Sequence, residues 1–138
     1  MTKTIDMQGM RYLNLFEKIT GVRTRYFFRY NEILIFCVPR PLLSKALGKN
    51  SENLKKMSDI LKRRVRIVIK PDTEKDLTDF FKTIVAPFEF KEIEIKENEI
   101  VLNSGGLNKA AFIGRDKKRL YEMREIVKDF FNKDFRVA

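Results

Sequence analysis

The sequence predicts an α+β chain built of two like units in tandem, each running helix, strand, strand, helix, helix, strand. Three observations predict it. The chain repeats itself. With Gly48 set on Gly114, 66 residues further on, Leu47-Gly48-Lys49 falls on Ile113-Gly114-Arg115, and Leu54, Met57, Ile60 and Leu61 fall on Leu120, Met123, Ile126 and Val127. Within each copy the apolar spacing switches between the helical period and the strand period of two. The breaks between those runs are rich in Gly, Pro and Asn, the residues that end helices and turn strands.

The elements of the first unit follow in order. Met7 to Thr20 carries Leu13, Phe16 and Ile19 on one helical side, and Gly21 stands where a helix C-cap is expected. Val22–Tyr30 and Ile33–Val38 are β-branched and aromatic runs around Asn31-Glu32, which predicts a hairpin. Pro39 and Pro41 end the second strand, and Pro41 suits the first turn of a short helix over Leu42–Leu47. A longer helix is predicted from Ser51 to Lys62, with Leu54, Met57, Ile60 and Leu61 as its buried stripe, and a closing strand over Val65–Lys70.

The second unit repeats the order. Thr73 is placed to cap a helix with Asp76 three residues on, followed by Leu77, Phe80, Phe81, Ile84 and Val85, and the helix stops near Pro87. Phe88–Lys96 and Glu99–Asn103 are predicted as its hairpin, Leu107–Ile113 as a short helix, Lys117–Phe131 as a long one and Phe135–Val137 as the last strand. Leu34-Ile35-Phe36 falls on Ile100-Val101-Leu102 without a gap, whereas Val65-Arg66-Ile67 meets Phe135-Arg136-Val137 only after a short insertion in the second unit. The predicted modules are therefore 1–70 and 71–138.

Composition narrows the function. Twelve phenylalanines and a 43% hydrophobic share supply a core and exclude a disordered chain. No stretch reaches the roughly 18 apolar residues needed to span a bilayer, and Met1 to Gly9 has no apolar run of the signal-peptide kind. A cytoplasmic protein is the expectation. Cys37 is the single cysteine and lies in the apolar run Ile33–Val38, so no intramolecular disulfide is available and a buried thiol is expected. The chain has no histidine, which removes the commonest general base and the commonest metal ligand together. Its acids are scattered on solvent-type positions, and Gly105-Gly106 belongs to no phosphate-binding fingerprint. No enzyme, cofactor or metal is expected.

The charge points to a polyanion. Twenty-nine basic against nineteen acidic residues give a net charge of +10. Residues 1–70 hold sixteen basic and five acidic side chains, so the first half carries the whole excess. In the second half the acids gather over 72–99, and Lys109, Arg115, Lys117, Lys118 and Arg119 make one basic end around Asp116.

The turn between the two helices of each copy is the constellation with most chemistry. Gly48 and Gly114 can be read as left-handed residues that end a helix. A second reading adds that a new helix starts at once, so its free N–H groups and positive dipole end face a loop able to hold a phosphate. Lys45, Lys49, Lys55 and Lys56 in one copy, and Arg115, Lys117, Lys118 and Arg119 in the other, suit the second reading. Arg23, Arg25 and Arg29 alternate along the first predicted strand, either to stack on bases or as a solvated face with Tyr26 and Phe28 turned into the core. Lys62-Arg63-Arg64-Arg66 is either a helix-end cluster favoured by the dipole or a phosphate contact.

These turns resemble the signature of the K-homology (KH) family, apolar–Gly–x–x–Gly–x–x–apolar between two helices. Here it stands as Leu47-Gly48-Lys49-Asn50-Ser51-Glu52-Asn53-Leu54 and as Ile113-Gly114-Arg115-Asp116-Lys117-Lys118-Arg119-Leu120. The leading helix of each unit is similar to the type II, prokaryotic order. Two such modules without a linker, opened by Tyr12-Leu13-Asn14-Leu15-Phe16-Glu17-Lys18-Ile19-Thr20-Gly21, resemble archaeal NusA-like transcription factors over residues 5–138. The resemblance implies single-stranded RNA binding, in which the loop clamps about four nucleotides, and a role in transcription elongation, termination or antitermination.

The implied RNA-binding residues are Lys45, Leu47, Gly48, Lys49, Asn50, Ser51, Lys55, Lys56, Gly114, Arg115, Lys117, Lys118 and Arg119. Both loops depart from the signature at its second glycine, where this chain has Ser51 and Lys117, and Asp116 adds an acid to the second loop. The partners expected are single-stranded RNA and RNA polymerase, with no membrane, for a monomer. The rival reading is a KH scaffold that docks on RNA polymerase or a ribosome-assembly factor and binds RNA weakly and non-specifically.

Only Pro71-Asp72 separates the last strand of one module from the first helix of the next, too little for a flexible tether. The two modules are therefore expected to pack as one rigid body. Limited proteolysis should leave Lys70–Glu74 uncut under conditions that nick exposed loops, and rapid cleavage there into two stable halves would contradict the expectation.

Overall fold

A computed structural model of the chain describes residues 6–138, so the first five residues of the predicted first module lie outside the described part. The chain divides into two compact units, with the boundary in sequence between Lys70 and Pro71. Each is mixed α+β, with the order of elements that the repeat predicts.

In the first unit, helix α1 spans Met7–Thr20. Asp6 caps it, its carboxylate accepting from the Gly9 N–H at 2.6 Å, and Gly21 closes it in the left-handed conformation, φ 73° and ψ 10°. Strand β1 (Tyr26–Tyr30) runs antiparallel to β2 (Ile33–Val38) through Asn31 and Glu32, both at positive φ, as the favoured two-residue hairpin turn requires. A single 3-10 turn at Arg40–Leu42 leads into α2 (Leu43–Leu47). Helix α3 (Glu52–Leu61) then returns the chain, and β3 (Arg64–Ile69) lies parallel to β2. The sheet order is β1-β2-β3, so β2 is central.

The second unit repeats this. Helix α4 spans Glu74–Val85, β4 Glu92–Ile95, β5 Glu99–Asn103, α5 Lys109–Ile113, α6 Lys118–Phe131 and β6 Asp134–Val137. Strand β4 is antiparallel to β5, β5 is parallel to β6, and β5 is the central strand.

Several local expectations need correction. Strand β1 starts at Tyr26 rather than Val22, and β4 at Glu92 rather than Phe88, because the residues before each form the connection from the preceding helix. Thr73 makes no side-chain capping bond. Instead the Asp76 carboxylate accepts from the Asp72 N–H at 3.3 Å, one residue earlier than a capping box would have it. Ile60 is 57% exposed, whereas its counterpart Ile126 is buried at 2%: α3 ends at Leu61, while α6 runs on to Phe130 and Phe131, which meet Phe80 of α4 edge to face. Tyr26 and Phe28 do turn away from the Phe27–Arg29 side. It is Phe27, however, that packs on the helix side, against Phe36 and Tyr12, while Phe28 is buried on the opposite face.

The core of the first unit lies between its sheet and its helices. Phe16 of α1 stacks on Phe36 of β2 at 4.6 Å between ring centroids, and Leu34, Val38, Ala46, Met57, Val65 and Ile67 close around the pair. All six residues of β2 are buried, as a central strand covered on both faces must be. Cys37 is among them, and burial pushes its thiol pKa well above the ordinary value. A thiol-specific reagent such as dithiobis-nitrobenzoate should therefore leave the folded protein unmodified at pH 8 and titrate one thiol in denaturant. Stoichiometric labelling of the folded chain within minutes would contradict this placement.

Candidate nucleic-acid interface

The parallel pairing of β2 with β3 obliges the chain to cross back over the sheet, and the crossover is α2, a tight loop and α3. The loop is Gly48-Lys49-Asn50-Ser51. Gly48 has φ 76° and ψ 175°, a region of the backbone map that is essentially restricted to glycine. Its neighbours turn twice in the left-handed region, Asn50 at φ 54° and ψ 33° and Ser51 at φ 58° and ψ 32°. The second loop follows the same course, with Gly114 at 78° and 171°, Asp116 at 55° and 27°, and Lys117 at 61° and 21°. The hydrogen bonds coincide as well. The N–H of Gly48 donates to Ser44 and that of Gly114 to Ala110, while the N–H of Ser51 donates back to Gly48 and that of Lys117 to Gly114.

Neither glycine is a left-handed cap of the kind Gly21 makes: both combine a positive φ with ψ of 175° and 171°, while their N–H groups still close the short helix before them. The same course accounts for the loop composition. Asn and Asp tolerate left-handed backbone better than most residues, which suits Asn50 and Asp116. At the place of the missing second glycine, Ser51 and Lys117 are held at positive φ against their preference.

A further pair of residues locks each loop, and the helical pattern alone gives no sign of it. The Asn53 side-chain amide donates to the Lys45 carbonyl at 3.3 Å, and Arg119, at the equivalent position, donates to the Ala111 carbonyl at 3.0 Å. Each bond ties the start of the long helix to the short one. Both side chains lie over their glycine: a Cβ on Gly48 would stand 2.9 Å from the Asn53 amide nitrogen, and one on Gly114 2.9 Å from the Arg119 Cγ. The 66-residue offset, which sets Asn53 on Arg119, was the available signal.

The remaining expected residues fall into two groups. Lys49, Asn50, Lys55 and Lys56 are exposed at the first loop and the opening of α3, with Lys56 3.9 Å from Glu52 one turn earlier. Lys45 is exposed on α2 with its ammonium against Gly21, and Leu47 is half-buried against the core. At the second loop Arg115, Lys117 and Lys118 are exposed beside Asp116. Arg119 turns inward, with its guanidinium also 5.8 Å from the centre of the Phe88 ring. Neither long helix has a side-chain cap at its start, since Ser51 and Lys117 make no capping bond. The first N–H of each helix is taken up within the loop, that of Glu52 by the Lys49 carbonyl and that of Lys118 by the Arg115 carbonyl, and both helix starts lie beside exposed cations. Among the described residues no three acids, cysteines or histidines are grouped to hold a metal, and no helix is long and apolar enough to cross a membrane.

No family model matches the chain. Two curated archaeal proteins are similar to it, each named probable transcription termination protein NusA. The one from Methanococcus vannielii is 27% identical over 100 residues, 71% of this chain and 56% of that protein. The one from Thermoplasma acidophilum is 22% identical over 133 residues, 94% of this chain and 90% of that protein. The chain thus spans about half the length of the first relative and most of the second. Among solved structures, one described as the crystal structure of APE1850 covers 97% of this chain and 100% of its own, with a TM-score of 0.65 at 20% identity, which shows a shared fold. The chain is NusA-like at the level of distant similarity, with a mixed α+β fold.

The backbone angles give a direct stability test. Ser51→Gly should raise the unfolding free energy by about 0.5–1 kcal/mol by relieving a left-handed serine, and Gly48→Ala should lower it by roughly 1–3 kcal/mol. Urea denaturation of the two variants checks both signs. A neutral Gly48→Ala would show that the loop does not hold this conformation.

Proposed function

We propose that the chain is a single-stranded RNA-binding protein that acts in transcription elongation, termination or antitermination, built of two type II KH modules and without catalytic chemistry of its own. The observation that carries the proposal is the loop: two copies, 66 residues apart in sequence, share one unusual backbone course, each leading into a helix that starts without a side-chain cap among exposed cations. Such a surface holds phosphates through backbone N–H groups and charge, while the partly buried apolar residues beside it, Leu47 and Leu54 in one unit and Ile113 in the other, offer bases a surface to pack on. The names of the two archaeal relatives support the assignment to transcription. Similarity to them also favours a cytoplasmic protein that works with RNA polymerase.

In this reading the first loop is the stronger. Lys45, Lys49, Lys55 and Lys56 surround it, and Asn50 at its tip is neutral. At the second loop Asp116 occupies the same tip and Arg119 turns inward onto the Ala111 carbonyl, which leaves Arg115, Lys117 and Lys118 to make less specific contacts. The rival scaffold reading draws its support from the two missing glycines. Against it stand the left-handed angles at Ser51 and Lys117, which reproduce the course a glycine would take.

Reversing Lys49, Lys55 and Lys56 to Glu should weaken single-stranded RNA binding far more than the matching change at Arg115, Lys117 and Lys118, as filter binding at two salt concentrations would read. Gly48→Ala, in a protein still folded, should reduce affinity with the salt slope nearly unchanged, because no cation is removed. Equal losses from the two triple variants would sink the ranking. RNA affinity untouched by both Gly48→Ala and Ser51→Gly would instead support the scaffold reading.

A further inference from the structure

The second loop stands beside an aromatic cluster that the first lacks. At the positions 66 residues on from Val22, Thr24 and Ala46 the chain has Phe88, Phe90 and Phe112. Phe112 is buried on α5, and the other two rings meet it close to edge-on, Phe88 at 6.4 Å between centroids and 81° between planes, Phe90 at 6.5 Å and 68°. Val22 is 2% exposed, whereas Phe88 at the equivalent place keeps 36% of its surface in solvent.

Arg119 joins this ring to the loop. Its stem lies against Gly114, where a Cβ would stand 2.9 Å from the Arg119 Cγ, and its guanidinium lies 5.8 Å from the Phe88 ring centre. The loop and the ring are therefore one side chain apart. A single N–H of Arg119 donates to the Ala111 carbonyl at 3.0 Å, and that bond does not use the other donors of the guanidinium. The backbone around Phe88 is held as well: its own N–H donates to the Val85 carbonyl at 3.1 Å, and the Glu89 carbonyl accepts from the Asn108 side chain at 3.0 Å. The ring is thus presented in a set position.

One exposed ring is ordinary on a protein surface. Here, however, the changes from the first unit fall together at the loop: phenylalanine for Val22, phenylalanine for Ala46 and arginine for Asn53. Arg115 and Lys117 are exposed at the same loop and attract the phosphates of a strand. A flat ring carrying a guanidinium suits what each phosphate brings with it, a nucleobase with a π face and a polar edge. An apolar protein side chain would cover Phe88 equally well but would leave the cations of the loop without a counter-charge, so charge complementarity favours the nucleotide.

We infer that Phe88 and Arg119 form a base-stacking step specific to the second unit: the exposed cations of the Gly114 loop hold the RNA backbone, one nucleobase stacks on Phe88, and Arg119 donates to the edge of that base. This inference rests on the single-stranded RNA reading of the loops. It adds that the second unit contributes base preference where the first contributes strength. Because stacking grows with the area of the π face, the step favours a purine.

The chain has no tryptophan, so Phe88→Trp places a single indole at the proposed step. Its emission should be quenched as an oligoadenylate of about eight nucleotides is added, enough for both loops, whereas the emission of Lys75→Trp, exposed on α4, should not change. Affinity is read by fluorescence anisotropy with labelled oligoadenylate and oligouridylate in the Lys49→Glu/Lys55→Glu/Lys56→Glu background, where binding falls to the second unit. Oligoadenylate should bind more tightly there. Adding Phe88→Leu, which keeps apolar bulk against Phe112, should weaken oligoadenylate binding roughly tenfold and bring the two strands level. The salt slope should stay the same, because no cation is lost. Phe88→Tyr, which keeps an aromatic face, should retain both the affinity and the preference. An unquenched Phe88→Trp in a chain that binds RNA, loss of all binding in the triple background, or a purine preference that survives Phe88→Leu would overturn this inference alone and leave the ring to a protein partner. Failure of the wild-type chain to bind either strand would overturn the RNA reading, and the stacking step with it.

Discussion

Parallel pairing next to the central strand is the constraint on which each unit depends. Because β2 and β3 run the same way, as do β5 and β6, the chain cannot turn back through a hairpin and must recross the sheet. It does so with a short helix and a longer one, and the reversal between them leaves room for only four residues. A turn that tight needs one conformation open only to glycine and two left-handed residues in a row, so the exposed helix start at each loop is a by-product of the strand order. The proposed binding surface is in this sense built into the topology, and the side chains around it decide how well it is used.

Those side chains differ between the units in ways that charge counts do not capture. Asn53 and Arg119 perform the same task, closing the long helix onto the short one, but Arg119 does it with a cation, one of whose N–H donors is committed to the Ala111 carbonyl. The sheets differ too. On the face away from the helix-side core the first sheet carries Phe28, Ile33, Ile35 and Cys37, all buried, where the second carries Glu92 and Glu94 on β4 and the Glu99–Arg136 pair. Two copies of one topology have thus diverged in surface chemistry while their loops kept the same course.

Much of this was legible in the sequence. The repeat, the order of elements, the apolar identity of β2 and the place of the two loops follow from spacing and from where glycine and proline fall. These are local properties, and local propensity and periodicity report them. The positions of Gly48, Gly114, Ser51 and Lys117 were legible as a pattern, but their conformations were not. The sequence reads these glycines as left-handed, whereas both take the wider turn that the crossover between parallel strands requires.

What the tertiary structure alone decided is which side chains meet. Ile60 has the spacing of a buried residue yet is exposed, because α3 stops a turn earlier than α6 and lacks the phenylalanines that extend the second core. Arg119 reads as one more cation in a basic run, and folding commits it to a carbonyl eight residues back. Arg25 and Lys70 stand far apart in the chain, and β1 and β3, on either side of β2, carry them to the Tyr26 ring. Composition and periodicity describe each residue against its neighbours in sequence, so they determined the elements and the sign of the charge. The pairing of distant residues depends on strand order and helix length, which only the packed chain specifies.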